Sequence, residues 1–400
     1  IRRPPRSTQG VSSAASDVYK RQEYSLSQEF DCIVIGVGGM GSSTLYNLAK
    51  RGRRVLGLEQ FDIPHAEGSS HGVNRIIRLA YYEHPSYVPL LRRAYELWSE
   101  IESVTGEQLL YKTGSIDTAP SGHEVFEGSL ESCLLHDIPH RVLNHAQINE
   151  EFPGYQLPPG HMGLLQGDGG FVLSERSIVA YANAAMSTGA EIHAREVVSG
   201  WEPDQDGVRV FTDRGEYTAE RLVITAGAWT SGMVPILDDL AVPERQVLAW
   251  LQPIDGSLYT PEVFPVFNAY FDEGRYYGFP VYGIPGFKVG RYHHLEEVID
   301  PDFAIKTVNS EDEAVLRSAV ERYFPKANGT TMTLKTCMFT NTPDEHFIVD
   351  LLPANSQVAV AAGFSGHGFK FASVIGEILA DLAINGETEH NIDLLKIDRF

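Results

Sequence analysis

Three glycines, Gly36, Gly38 and Gly41, follow the apolar run Cys32 to Ile35 in the spacing GxGxxG. Backbone without a Cβ can turn tightly there and approach a pyrophosphate, and the amides opening the next helix face its negative charge. Glu59 lies 18 residues beyond Gly41, at the end of a second apolar run. A carboxylate in that place accepts hydrogen bonds from ribose hydroxyls and repels a 2′-phosphate. The combination predicts a dinucleotide site that disfavours NADP and does not by itself separate FAD from NAD. A second glycine loop, GFSGHGFKF, sets Gly366, His367 and Gly368 between a strand and a long helix, with Lys370 in the first turn. A cation conflicts with the positive end of a helix. Lys370 is therefore either solvated or paired with an outside anion, such as a carboxylate or an anionic flavin ring.

Other candidates are ambiguous by residue type alone. Cys337, in LKTCMFTNTPDEHFIVD near Lys335, reads by composition alone as an inert strand cysteine. Lys288, in the aromatic and glycine-rich GFPVYGIPGFKVGRYHH, reads by default as a snorkelling surface lysine. His71, Arg75 and Arg78, in SSHGVNRIIRLAYYEHPSY, put two arginines three apart, a spacing that often serves only to pair with nearby acids. Cys32, Cys133 and Cys337 form no CxxC pair, which predicts neither zinc nor a disulfide framework and suits a reducing cytoplasm.

These residues need elements to hold them. The first glycines require a βαβ unit: a strand over Cys32 to Ile35, a helix from about Met40 to Lys50 closed by Gly52, and a strand over Val55 to Leu58. Val88, Leu91, Tyr95, Trp98 and Ile101 make one apolar helical stripe with Arg92, Arg93 and Glu96 outside it. Ser174 is expected to cap a helix through Met186. EIHAREVV and GVRVFTDRGEYTAERLVITAG follow as strands, with Asp213-Arg214-Gly215 as a hairpin turn. Strand-like runs from Gln246 to Tyr292 suggest an antiparallel sheet. QVAVAAGF then leads into the final helix, which ends at Gly386.

The formal charge of −21 repels phosphate backbones and anionic lipid, so neither nucleic acid nor membrane is an expected partner. No run approaches the roughly 18 apolar residues of a membrane helix. Residues 1–22 hold five basic side chains among Pro and Ser without periodicity, and read as a disordered, non-native leader.

Five blocks, GxGxxG with Glu59, GSSHGVNRIIRLAY, YYGFP with FKVG, CMFTNTPDEHFIVD and GFSGHGFKFAS, occur in one order. From about Phe30 to Phe400 the chain resembles the monomeric sarcosine oxidase family, with N-methyl-tryptophan oxidase and pipecolate oxidase. The resemblance implies an α/β (overall α+β) flavoprotein: a Rossmann-type parallel sheet binds FAD, and a second domain is built on an antiparallel sheet. The expected FAD domain comprises 28–109, 168–242 and 344–400, and the substrate domain 110–167 and 243–343. It also implies a small secondary amine substrate, hydride transfer to flavin, imine hydrolysis, reoxidation by O2 to H2O2, and a monomeric enzyme. By residue, Cys337 matches the cysteine carrying the flavin, Lys288 the lysine serving oxygen, and Arg78 with Lys370 the carboxylate grip. Tyr277 matches a tyrosine beside the amine, and His71 and Arg75 match residues near the flavin ring.

Two departures stand out. Phe339 replaces a family tyrosine and, with Ile284-Pro285 bordering the lysine loop, predicts a less polar pocket. RYHH is offset from the family's active-site histidine, leaving His293 and His294 as alternatives. The rival readings are a flavin dehydrogenase using another acceptor, an NAD-dependent dehydrogenase, which gives Cys337 no purpose, and a nonenzymatic flavin binder, which gives Lys288, Arg78 and Lys370 none.

Overall fold

Apolar side chains on consecutive positions of Gln28–Ile35 fit a strand covered on both faces. In the computed structural model Cys32 and Val34 join one core while Ile33 and Ile35 join another. The structure describes residues 28–204, 207–304 and 306–400, so the expectation for residues 1–22 lies outside the described residues. Gln28–Ile35 pairs in parallel with Val55–Leu58 on one side and Glu216–Ile224 on the other. Glu191–His193 and Asn355–Ala362 extend this parallel centre. Hairpins through Val198–Asp204 with Gly207–Thr212, and through Ile348–Leu352, add antiparallel rims to make eight strands.

Two helices cover the sheet where the glycine loops end, Gly39–Lys50 and Ala372–Asn385. They touch at small residues: Ser43 Oγ donates to Ser373 O at 3.3 Å, and a Cβ on Gly376 would overlap Ser43. The final helix begins with a 3-10 turn, Phe369–Phe371, so Lys370 precedes the α-helix proper rather than lying in its first turn. It ends at Gly386, whose φ of +77° suits glycine.

A second eight-stranded sheet runs Thr331–Asn341, Val242–Leu251, Phe287–Arg291, Gly274–Phe279, Val266–Phe271, Ser115–Pro120, His161–Gln166 and Arg141–Asn144. All its pairs are antiparallel except Val266–Phe271 with Ser115–Pro120. Its pleat sorts the side chains by alternation. Val247, Ala249, Leu251, Phe287 and Val289 pack toward the helix Ser310–Tyr323, whereas Leu248, Trp250 and Cys337 cluster on the opposite face. A three-stranded sheet, Asn74–Ile77, Gly170–Leu173 and Leu110–Lys112, completes the strands.

Two local expectations need correction. Ser174 is the first residue of its helix and not the cap; Leu173 holds that place, and the Ser174 hydroxyl donates to Glu175 at 2.6 Å. EIHAREVV is broken, with Arg195 at φ +57° and the next strand starting at Val198. The break turns the fully buried Glu196 carboxylate toward Thr212 Oγ1 at 2.6 Å and Tyr217 OH at 2.9 Å.

Candidate active site

One face of the second sheet carries Lys288, Tyr277, Cys337 and Phe339, brought together by their alternation and cross-strand register. The tandem tyrosines of YYGFP separate on this pleat. Tyr276 OH donates to Val315 O at 2.8 Å on the core side, while Tyr277 faces the site across Gly290, where a Cβ would overlap its phenol.

A groove of about 1320 Å³, its opening included, runs along the parallel sheet. Gly36, Gly38 and Glu59 line one end, and Arg75, Phe339, Gly366 and Gly368 the other. Gly36 has φ +88°, and a Cβ on Gly41 would overlap Gly36 O, so Gly41 serves the tight turn and Gly36 and Gly38 face the groove. The helix Gly39–Lys50 has no side-chain cap and no acid in its first turn, which leaves its leading amides for an anion. Glu59 is anchored by Val37 N at 2.9 Å and Phe61 N at 3.0 Å. Thr225, missed in the sequence, locks the turn by donating to Gly36 O at 2.8 Å. This cradle fits a dinucleotide: glycines at the approach, free amides, and an acid at the far strand end.

Cys337 lies buried beyond the groove, with Arg75 Nη2 3.7 Å from Sγ. Burial pushes its thiol up, but His71 and Arg75 outweigh burial and bring it down to about 7. The loop of His71 and the start of the strand that carries Arg75 are clamped from two sides. Glu175 accepts from Gly72 N at 2.7 Å and Val73 N at 3.0 Å, and Lys288 Nζ donates to Gly72 O and Asn74 O, both at 2.8 Å, and to Asn74 Oδ1 at 2.9 Å. Lys288 is thus buried, not snorkelling. Burial, with Arg75 nearby, pushes its pKa well down, yet three acceptors match the three protons of an ammonium.

A smaller pocket adjoins the groove and shares Arg75, Phe339, Gly366 and Phe369 with it. Arg78, Lys370, Tyr277 and His367 also line it. Arg78 is fully buried, donates to both Glu83 oxygens at 2.9 and 2.8 Å, and stands 3.7 Å from Asp117. Glu83 is held down at about 2: burial raises it, and Arg78 more than reverses that. Lys370 Nζ donates to His367 O at 2.5 Å. Burial, then Arg78, lowers its pKa to about 7. Burial also drops His367 to about 4, so its ring is neutral. With Lys370 protonated, Arg75, Arg78 and Lys370 outnumber the carboxylates Glu83 and Asp117 by one charge.

Neither alternative histidine enters this pocket. His293 bridges Glu244 at 3.0 Å and Glu345 at 3.1 Å, and the fully buried His294 lies 3.1 Å from Asp312. Tyr292 lines the pocket in their stead, its ring 3.7 Å beneath the Arg275 guanidinium. Asn268 is a second lining residue that the sequence did not flag. The pocket is therefore more polar than Phe339 alone implied, and Ile284 packs against Leu248, Trp250 and Cys337 instead.

The FAD dependent oxidoreductase family model matches residues 31–382. The chain is 40% identical over 379 residues to a monomeric sarcosine oxidase of Bacillus sp. (strain NS-129), covering 94% of this chain and 98% of the relative. It is 34% identical over 375 residues to an N-methyl-L-tryptophan oxidase of Yersinia pestis (strain Pestoides F), covering 93% and 100%. Among solved structures, the open form of NikD, an amino acid oxidase of nikkomycin biosynthesis, superposes with a TM-score of 0.80 at 25% identity, covering 92% of this chain and 97% of that one.

Proposed function

The chain belongs to the FAD dependent oxidoreductase family, and from that premise we propose that it oxidises the secondary amine of a small N-methyl or cyclic amino acid on FAD carried by Cys337. The observation that carries this reading is the junction of a dinucleotide groove with a buried pocket holding one surplus positive charge, through Arg75, Phe339, Gly366 and Phe369. One carboxylate brings that charge to zero. When bound, FAD supplies the hydride acceptor and passes the electrons to oxygen as peroxide.

The chain's own residues do the rest. Lys370, with one carbonyl partner, has protons left for the substrate carboxylate, and Arg78 adds its field from between Glu83 and Asp117. Fixing the carboxylate orients the carbon beside nitrogen toward the groove, against Tyr277. The Cys337 thiolate is the nucleophile that a thioether to the flavin requires. Lys288, tied to Gly72 and Asn74 beside Arg75, offers a fixed cation for the charge that develops as oxygen is reduced. A monomer, after the relatives named monomeric sarcosine oxidase, and a reducing cytoplasm, in keeping with three free buried cysteines, complete the proposal. No helix among the described residues is long and apolar enough to cross a membrane.

The test is an aerobic peroxide assay with sarcosine, N-methyl-tryptophan, pipecolate and proline, followed by acid precipitation. At least one amine should yield peroxide, and the yellow colour should stay with the Cys337 peptide. Flavin wholly in the supernatant would sink the covalent bond. Anaerobic bleaching by an amine without peroxide in air would favour a dehydrogenase using another acceptor.

A further inference from the structure

We propose that Asn268 is a specificity residue, whose amide oxygen takes a hydroxyl or N–H on the substrate side chain near the α carbon. The preferred amino acid then carries a hydrogen-bond donor in addition to its amine and carboxylate. This inference rests on the amine oxidase reading above and narrows its substrate class.

Asn268 and Asp117 are cross-strand partners on the one parallel pair of the second sheet, so their side chains share a face. Asp117 Oδ2 accepts from Ser129 Oγ at 2.6 Å, and Oδ1 accepts from Asn268 Nδ2 at 2.9 Å. Burial raises the Asp117 carboxyl, and Arg78, 3.7 Å away, offsets only part of that rise. With its NH2 given to Asp117 Oδ1, the amide turns its oxygen elsewhere. That oxygen receives no hydrogen bond from a described residue, and Asn268, 2% exposed, lines the substrate pocket. The amide oxygen is therefore free to accept on the pocket side, and the bond from its NH2 to buried Asp117 holds that orientation in place. For an N-methyl group or plain ring, an apolar side chain like its neighbours Ile76, Phe279 and Phe369 would serve better. The Tyr292 hydroxyl is likewise without a described partner, while Arg275 and Phe339 fix its ring. Because Asp117 Oδ1 faces both Arg78 Nε and the Asn268 amide, the acceptor stands near the carboxylate end. The complementary donor therefore sits within a few bonds of the substrate carboxylate.

The experiment separates binding from turnover on the holoenzyme. Glycerate and lactate, which differ by one β-hydroxyl and lack an amine, are titrated against the flavin absorbance. Peroxide is measured with N-methyl-L-serine and N-methyl-L-alanine. The inference expects glycerate to bind about tenfold tighter than lactate, the scale of one well-made hydrogen bond, and Asn268→Leu to bring that ratio to about one. Equal binding by the wild-type protein overturns the inference whatever the variant does, and a ratio unchanged in Asn268→Leu removes Asn268 from it. Peroxide decides the oxidase reading separately: oxidation of both amines with equal acid binding sinks the inference alone, whereas no oxidation with a tenfold binding ratio sinks the oxidase reading alone.

Discussion

Lys370 is a buried ammonium with one carbonyl for company, next to another cation, and its pKa falls to about 7. A group so placed binds an anion best while it keeps its proton. Affinity for a simple carboxylate without an amine should therefore be full below pH 7 and decline as pH rises through that value. Titrations of acetate against the flavin spectrum between pH 6 and 9 would show the inflection, and Lys370→Met should remove it while weakening binding at pH 6 by about tenfold or more. A pH-independent affinity in the wild-type protein would mean that Lys370 does not meet the carboxylate. Arg78 gives no such inflection, because Glu83 and Asp117 hold its pKa above the usual arginine value despite burial.

The glycine helix and the final helix meet where Gly376 faces Ser43, whose backbone as well as hydroxyl would overlap a Cβ. A hydroxyl can rotate away, but backbone cannot. Gly376→Ala must push Gly39–Lys50 aside, and that helix carries the amides at the groove. Overpacking of this kind costs about 1–3 kcal/mol, so denaturant unfolding should show a loss on that scale together with poorer flavin retention. Gly232→Ala, in the short helix Thr230–Met233 with open space around it, should stay within about 0.5 kcal/mol. Equal effects of the two substitutions would contradict the packing argument.

At the scale of the molecule, His293 joins segments far apart in the chain. Glu244 of the second sheet and Glu345 of the turn before the last strands both bond its ring, and this raises it to about 9 against the cost of burial. A histidine raised in the folded state adds stability that is whole below its unfolded value near 6.5 and vanishes as pH climbs through about 9. Thermal unfolding of the wild-type protein should therefore weaken between pH 6.5 and 9. His293→Asn keeps a residue type that tolerates φ +50°, and it should flatten that slope. If the variant retains the full slope, the bridge does not set it.

What the sequence determined alone is local. Gly36, Gly38 and Gly41 need only their own turn and the strand and helix beside it, and the alternation of Gln246 to Tyr292 needs only a pleat, so both were legible along the chain. Cys337, Lys288 and Lys370 were legible as family positions, but their state was not. Burial, the His71 and Arg75 loop, and the three acceptors around Lys288 come from segments hundreds of residues apart in sequence, such as Asn74 and Lys288. Tertiary structure alone decided that Tyr292 rather than His293 or His294 reaches the pocket, because the strand ends at Arg291 and His293 turns away at positive φ. It also decided that Asn268 presents an oxygen there. Nothing in NAYF signals this, since the amide is oriented by Asp117, 151 positions earlier, and a side chain's chemistry is fixed by whichever neighbours the fold delivers to it.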